Sequence, residues 1–255
     1  MLSVTPIPAF SDNYIWLLRQ DTSPEACVVD PGDAEPVIRA LEQEGLTLDT
    51  ILVTHHHHDH TGGLPELIDR YSPRVIGPDN PRITGLTERV GDGDTCRVMG
   101  RRFDVFAVPG HTLDHIAFFT AGIPPLLFCG DTLFCGGCGR LFEGSPEQMH
   151  RSLQVLAGLP DETLVFAAHE YTLANLRFAQ AAEPHNSDTV EALAAAQRAR
   201  DFDKPTLPST LAREKRINPF LRCNDPELRA VASQHGSTDT DQATFATLRA
   251  WKDSF

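Results

Sequence analysis

The chain has 255 residues, 22 basic and 35 acidic side chains and a formal charge of −13. With 41% apolar and 22% charged residues it has a globular composition, and its acidity argues against a protein that tracks nucleic-acid phosphates with a basic face. No apolar run approaches the roughly 20 residues that span a bilayer, the start has no signal-peptide pattern, and six cysteines are too few for a disulfide scaffold. A cytoplasmic monomer without membrane or nucleic-acid partners is the expectation.

In chain order, the first predicted strand covers residues 27–30 and ends in the turn Asp30-Pro31-Gly32-Asp33. A helix follows over residues 34–44, where Val37, Ile38 and Leu41 share a face and Gly45 supplies the stop. Ile51-Leu52-Val53 has the look of a buried strand, and Val90-Gly91-Asp92-Gly93-Asp94 of a hairpin turn. Residues 103–108, 126–129 and 164–167 are three more apolar runs of strand length. Between them, Ser145-Pro146-Glu147 opens a helix with an N-cap and an N1 proline, and Leu153 and Leu156 mark its buried side. Beyond residue 170 the texture becomes Ala-rich, with helices predicted near 171–182, 187–202, 225–235 and 239–252 and a loop over 204–210. Charge changes at the same place. Residues 1–169 hold 11 Arg, no Lys and 23 acids, whereas residues 170–255 hold 11 basic and 12 acidic residues. Two domains, 1–169 and 170–255, are therefore expected.

Five of the eleven histidines lie between residues 55 and 60, in Thr54-His55-His56-His57-His58-Asp59-His60-Thr61-Gly62-Gly63, directly after a predicted strand. Three other strands end alike, at Pro109-Gly110-His111-Thr112, Gly130-Asp131-Thr132 and Ala168-His169-Glu170. Strand C-termini are where layered α/β folds place ligand sites. Imidazole and carboxylate are ligands of divalent metals such as zinc. Alternate residues of an extended segment point the same way, so His55 and His57 can reach one ion while Asp59 reaches a second and His56 and His58 face away. His60 sits beside Asp59, on a turn loosened by Gly62 and Gly63. His55, His57, Asp59, His60, His111, Asp131 and His169 are seven candidate ligands, a number that suits two ions sharing one carboxylate. Paired ions hold a bridging water, lower its pKa toward about 7 and stabilise the oxyanion that forms on attack.

These residues carry a resemblance. His55-x-His57-x-Asp59-His60 resembles the metallo-β-lactamase superfamily signature, which implies an α/β fold, a four-layer αββα sandwich. Phe10-Ser-Asp-Asn-Tyr14, Asp30-Pro-Gly32, Pro109-Gly-His-Thr112, Gly130-Asp-Thr-Leu-Phe134, Gly137-Cys-Gly139, Ala168-His-Glu-Tyr171, Asn218-Pro-Phe220 and Lys252-Asp253 narrow it to the glyoxalase II (hydroxyacylglutathione hydrolase) family. Members of that family add a small helical C-terminal domain. The resemblance implies that His55, His57 and His111 hold one metal, that Asp59, His60 and His169 hold the other, and that Asp131 bridges them. The ions would be two per chain, zinc ahead of iron or manganese. The implied reaction is hydrolysis of S-D-lactoylglutathione to D-lactate and glutathione by a metal-held hydroxide, with Asp59 and Asp131 as the catalytic carboxylates. Arg140, Tyr171, Arg249 and Lys252 match positions that bind glutathione, whose two carboxylates call for cations. The family usually has Lys in place of Arg140 and often Tyr in place of Phe142. A persulfide dioxygenase-like enzyme with one iron and a metal-binding protein without turnover are the alternatives. Cys135-Gly136-Gly137-Cys138 is a lone CxxC and is expected to be a turn, not a redox pair. Asp30 and Asp114 are candidate partners of metal-facing histidines.

Overall fold

The computed structural model describes residues 2–255. Two compact units divide the chain by contact: residues up to Ala107 with Asp114–Gly130, and Val108–Leu113 with Asp131–Phe255.

The first unit begins with β1 (Leu2–Ala9), β2 (Asn13–Gln20) and β3 (Glu25–Val29), then α1 (Ala34–Glu44) and β4 (Thr47–Leu52). It continues through α2 (His58–Thr61), α3 (Leu64–Tyr71), β5 (Arg74–Gly77) and β6 (Glu88–Arg89). β7 (Thr95–Val98), β8 (Arg101–Ala107), β9 (Ile116–Thr120) and β10 (Leu126–Gly130) complete it. β1 to β6 form one mixed sheet in sequence order, antiparallel from β1 to β3 and parallel from β3 to β6. β7 to β10 pair antiparallel in a second sheet. The helix predicted over 34–44 is α1, capped by Asp33 and ended by Gly45 at φ 65°. Its Val37 and Leu41 pack with Val28, Ile51, Leu67 and Val75, all fully buried. Val90-Gly91-Asp92-Gly93-Asp94 is not a hairpin turn. β6 pairs only with β5 and β7 only with β8 among the described strands, so this segment passes from one sheet to the other.

The second unit contains the short hairpin β11 (Leu133–Phe134) and β12 (Gly137–Cys138), then α4 (Pro146–Ala157), β13 (Leu164–Ala167), α5 (Thr172–Ala182) and α6 (Ser187–Arg200). β14 (Ser209–Thr210), α7 (Leu211–Ile217), α8 (Pro226–Ala232) and α9 (Asp241–Asp253) follow. Ser145 and Gln148 form a capping box on α4, with Pro146 in the first turn; Asp225 and Pro226 open α8 in the same style. Phe178 of α5 stacks on Phe220 at 5.9 Å, and Phe220 meets Phe245 of α9 edge-on at 5.5 Å, so aromatic packing joins these helices. The sequence gives no sign of α7, whose Arg213-Glu214-Lys215-Arg216 run has the character of solvated loop. Leu211, Glu214 and Ile217 nevertheless form a buried face.

Candidate metal centre

Parallel pairing of β3 with β4 places the loop after one strand against the loop after the other, with Val29 opposite Leu52. Asp30, at φ 54°, donates its N–H to the Leu52 carbonyl. Its carboxylate accepts from Thr54 N–H and from the Thr54 hydroxyl, both at 2.7 Å, and lies 3.1 Å from His60 Nδ1. The Thr54 hydroxyl spends its one proton on Asp30, so at 3.1 Å from His55 Nδ1 its oxygen accepts. His55 thereby carries its proton on Nδ1 and presents Nε2 as its ligand atom. The same carboxylate sits beside the buried His60 ring.

His55 and His57 project from extended backbone with ring centroids 4.7 Å apart. Asp59 does not continue that alternation, because the chain turns into α2 at His58. It reaches the site from a helical turn, where Asn13 donates to its Oδ2 at 3.1 Å. The glycines after it serve contact, not looseness: Gly62 and Gly63 are helical, and a Cβ on them would lie 2.6 Å and 2.7 Å from the carbonyls of Gly32 and Pro31. His58 is exposed, whereas His56 is buried. His56 Nδ1 meets Asp114 at 2.9 Å, Asn80 donates to the other Asp114 oxygen, and Arg82 lies against His56 Nε2. A guanidinium there makes the His56, Asp114 and Glu143 group a poor place for another cation.

In the second unit, Asp131 follows β10 and is 6% exposed. Its Oδ2 lies 3.3 Å from His111 Nε2 and its Oδ1 3.3 Å from His169 Nε2, so each oxygen faces a different imidazole. His111 Nδ1 donates to the Arg140 carbonyl at 2.8 Å, which again leaves Nε2 as the ligand atom. The Tyr171 ring stacks on His169 at 4.7 Å, and the Phe142 ring stands edge-on to His111 at 5.2 Å. Arg140 is exposed and pairs with Asp253. Arg249 is only 5% exposed and donates to the Cys138 carbonyl and to Asp253. Lys252 donates to Asn175 Oδ1. Burial, reinforced by Arg249, pushes its ammonium down to about 8. Cys135 and Cys138 lie buried in the β11–β12 hairpin, and burial pushes both thiols up, away from nucleophilic or redox use.

Ligand atoms of His55, His57 and His111 lie within 4.8 Å of one another, as do those of His55, His60 and Asp131, and those of Asp59, His60 and His169. Imidazole nitrogens and carboxylate oxygens without a thiolate suit zinc, iron or manganese. Sequence reasoning missed Asn175 and Glu214, because their partners are backbone groups far along the chain.

Residues 10–169 match the metallo-β-lactamase superfamily, and residues 170–255 match the hydroxyacylglutathione hydrolase C-terminus. A hydroxyacylglutathione hydrolase of Chromohalobacter salexigens is 68% identical over 255 residues, covering 100% of both chains. The chain belongs to the hydroxyacylglutathione hydrolase (glyoxalase II) family. The glyoxalase II fold seen here is the metallo-β-lactamase α/β fold with two sheets, followed by a helical C-terminal region. Among solved structures, ETHE1 from Myxococcus xanthus is 25% identical with a TM-score of 0.66, covering 100% of this chain and 99% of its own. TTHA1623 in a di-iron-bound form is also 25% identical, with a TM-score of 0.61, covering 85% of this chain and 100% of its own.

Proposed function

We propose that the chain hydrolyses S-D-lactoylglutathione and related 2-hydroxyacyl-glutathione thioesters to the hydroxy acid and glutathione. The observation that carries this reading is the set of three ligand triads, present in a chain that matches the glyoxalase II relative from end to end. In this reading His55, His57 and His111 hold one divalent ion, Asp59, His60 and His169 hold the other, and Asp131 is shared. The di-iron relative supports a count of two, and the nitrogen and oxygen donors suit zinc. When bound, such ions lower the pKa of a water and polarise the thioester carbonyl. The chain's own residues orient the ligands. Asp30 orients His55 through Thr54 and sits 3.1 Å from His60 Nδ1, the Arg140 carbonyl fixes His111, and Asn13 holds one Asp59 oxygen. Phe142 stands edge-on to His111 and Tyr171 stacks on His169, so each limits how far its imidazole can turn. Arg140, Tyr171 and Lys252 contact glutathione, and Arg249, buried against the Cys138 carbonyl and Asp253, supports them from behind instead of meeting the substrate as its sequence position suggests, so residues 1–169 supply chemistry and residues 170–255 much of the recognition. The enzyme acts as a cytoplasmic monomer.

The direct test is metal content by mass spectrometry together with loss of the thioester absorbance of S-D-lactoylglutathione. About two metals per chain and rapid hydrolysis are expected. One iron per chain, with oxygen uptake on glutathione persulfide and no thioester loss, would overturn the reading.

A second expectation concerns pH. With its ammonium lowered to about 8, Lys252 is charged below that pH and neutral above it. KM is expected to rise through that range as the attraction for a glutathione carboxylate is lost, while kcat stays level. Lys252→Met should abolish this rise and start from a KM about tenfold higher, the worth of one charge-assisted hydrogen bond. A wild-type KM that is flat across this range would show that Lys252 does not bind substrate.

A further inference from the structure

The β11–β12 hairpin has two residues in each strand, far too few to hold a position alone. Five consecutive residues in it are gripped instead by side chains from later in the chain. Asn218 Nδ2 donates to the Phe134 carbonyl at 3.2 Å and to the Gly137 carbonyl at 2.9 Å. Asn175 Nδ2 donates to the Cys135 carbonyl at 3.0 Å, and Arg249 to the Cys138 carbonyl at 3.0 Å. Glu214 Oε2 accepts from Gly136 N–H at 2.8 Å and from Asn218 Nδ2 at 3.2 Å, while its Oε1 accepts from the Ser209 hydroxyl. Glu214 and Asn218 are fully buried. A carboxylate sunk this deep is costly unless hydrogen-bonded, and here the donors that face it include the hairpin backbone and the residue that grips the hairpin.

The hairpin lies between two groups of the metal centre. Asp131 precedes it by two residues. Gly139, directly after it, donates to the Thr132 carbonyl at 3.2 Å and packs so tightly that a Cβ would lie 2.0 Å from the Asp131 carbonyl oxygen. The next carbonyl, that of Arg140, orients the His111 ring. A displaced hairpin therefore moves Asp131 from one side and His111 from the other.

We propose that Glu214 and Asn218 are positioning residues for the Asp131–His111 pair, acting through the β11–β12 hairpin. The proposal rests on the assignment of that pair as metal ligands. Glu214→Ala removes the acceptor of Gly136. It is expected to lower kcat roughly 10- to 100-fold, as lost outer partners of metal ligands do, with KM within about twofold. The same variant should lose zinc to a chelator about tenfold faster or more, and amide exchange should accelerate in residues 133–140. Glu214→Gln keeps an oxygen for Gly136 and Asn218 and can give its NH2 to the Ser209 oxygen, so it should restore zinc retention and kcat to near wild type. If Glu214→Ala fails to fold, Asn218→Ser, which cannot span both carbonyls, carries the same expectations.

Wild-type zinc retention in a folded variant would overturn the proposal. So would a change in KM alone, or a Gln variant as impaired as the Ala variant. Retention and exchange are read with zinc and without substrate. Failure of the wild type to cleave the thioester would thus count against the substrate reading, while these two measurements still decide the hairpin's role.

Discussion

Asp131→Ala is expected to lower kcat by more than about 100-fold, since loss of an outer partner alone costs 10- to 100-fold at metal sites, and to drop metal content below two per chain. The reason is the way its carboxylate is placed. Oδ2 lies 3.3 Å from His111 Nε2 and Oδ1 3.3 Å from His169 Nε2, so the two oxygens serve two different imidazoles. A methyl group serves neither. The proposed metal assignment gives His111 and His169 to different ions, and Asp131 is the one carboxylate that faces both. Losing it should weaken both ions at once. Asp131→Asn separates the two sides. The amide keeps one oxygen and turns an NH2 toward the other ion's ligand set, so it should retain about one tightly held metal, with kcat still low. Metal counting and steady-state kinetics on the two variants check this. An Asp131→Ala enzyme with full activity would remove the shared-carboxylate assignment.

What could be read from the sequence was what local signals encode. The spacing of Val37, Ile38 and Leu41 with Gly45 behind them specified α1 to the residue, and the Ser145 and Asp225 caps specified the starts of α4 and α8. The candidate ligand residues were legible because each group of them comes after a short apolar strand, so that one pattern repeated four times. Other features depend on pairing that no local pattern carries. Asp30 meets Thr54 through parallel register between β3 and β4. Asp59 lies on a helical turn, since α2 starts one residue too early for the extended alternation to reach it. In α7, three charged neighbours hid a glutamate whose partners are 78 residues away in sequence at Gly136 and four away at Asn218. Arg249 has the look of a surface cation in any sequence, yet it is buried against the Cys138 carbonyl. Its partners are the Cys138 carbonyl, 111 residues earlier in the chain, and the Asp253 carboxylate, and only the folded chain brings the first of these to it.

Asp30→Asn should weaken metal retention about 10- to 100-fold and cost roughly 1–3 kcal/mol of stability, the penalty for buried donors left without an acceptor. Asparagine is the informative replacement because Asp30 sits at φ 54°, a left-handed conformation that Asn tolerates nearly as well as Asp. Backbone strain is thus held constant while one carboxylate oxygen becomes an NH2. That group must face either the Thr54 N–H or the Thr54 hydroxyl and His60, and it can accept from none of them. If it faces the hydroxyl, Thr54 loses the acceptor that obliged its oxygen to take the His55 proton. His55 can then adopt the other tautomer, with Nε2 protonated and unable to ligate. Asp30→Ala should be worse on both counts, since it removes every acceptor and disfavours positive φ. Denaturant unfolding with zinc removed isolates the stability cost, and competition with a chelator isolates the metal effect. A variant that loses stability but holds zinc like the wild type would make Asp30 a brace for the β3 and β4 loops alone. Loss of zinc retention at unchanged apo stability would assign its whole effect to the His55 tautomer and the charge beside His60.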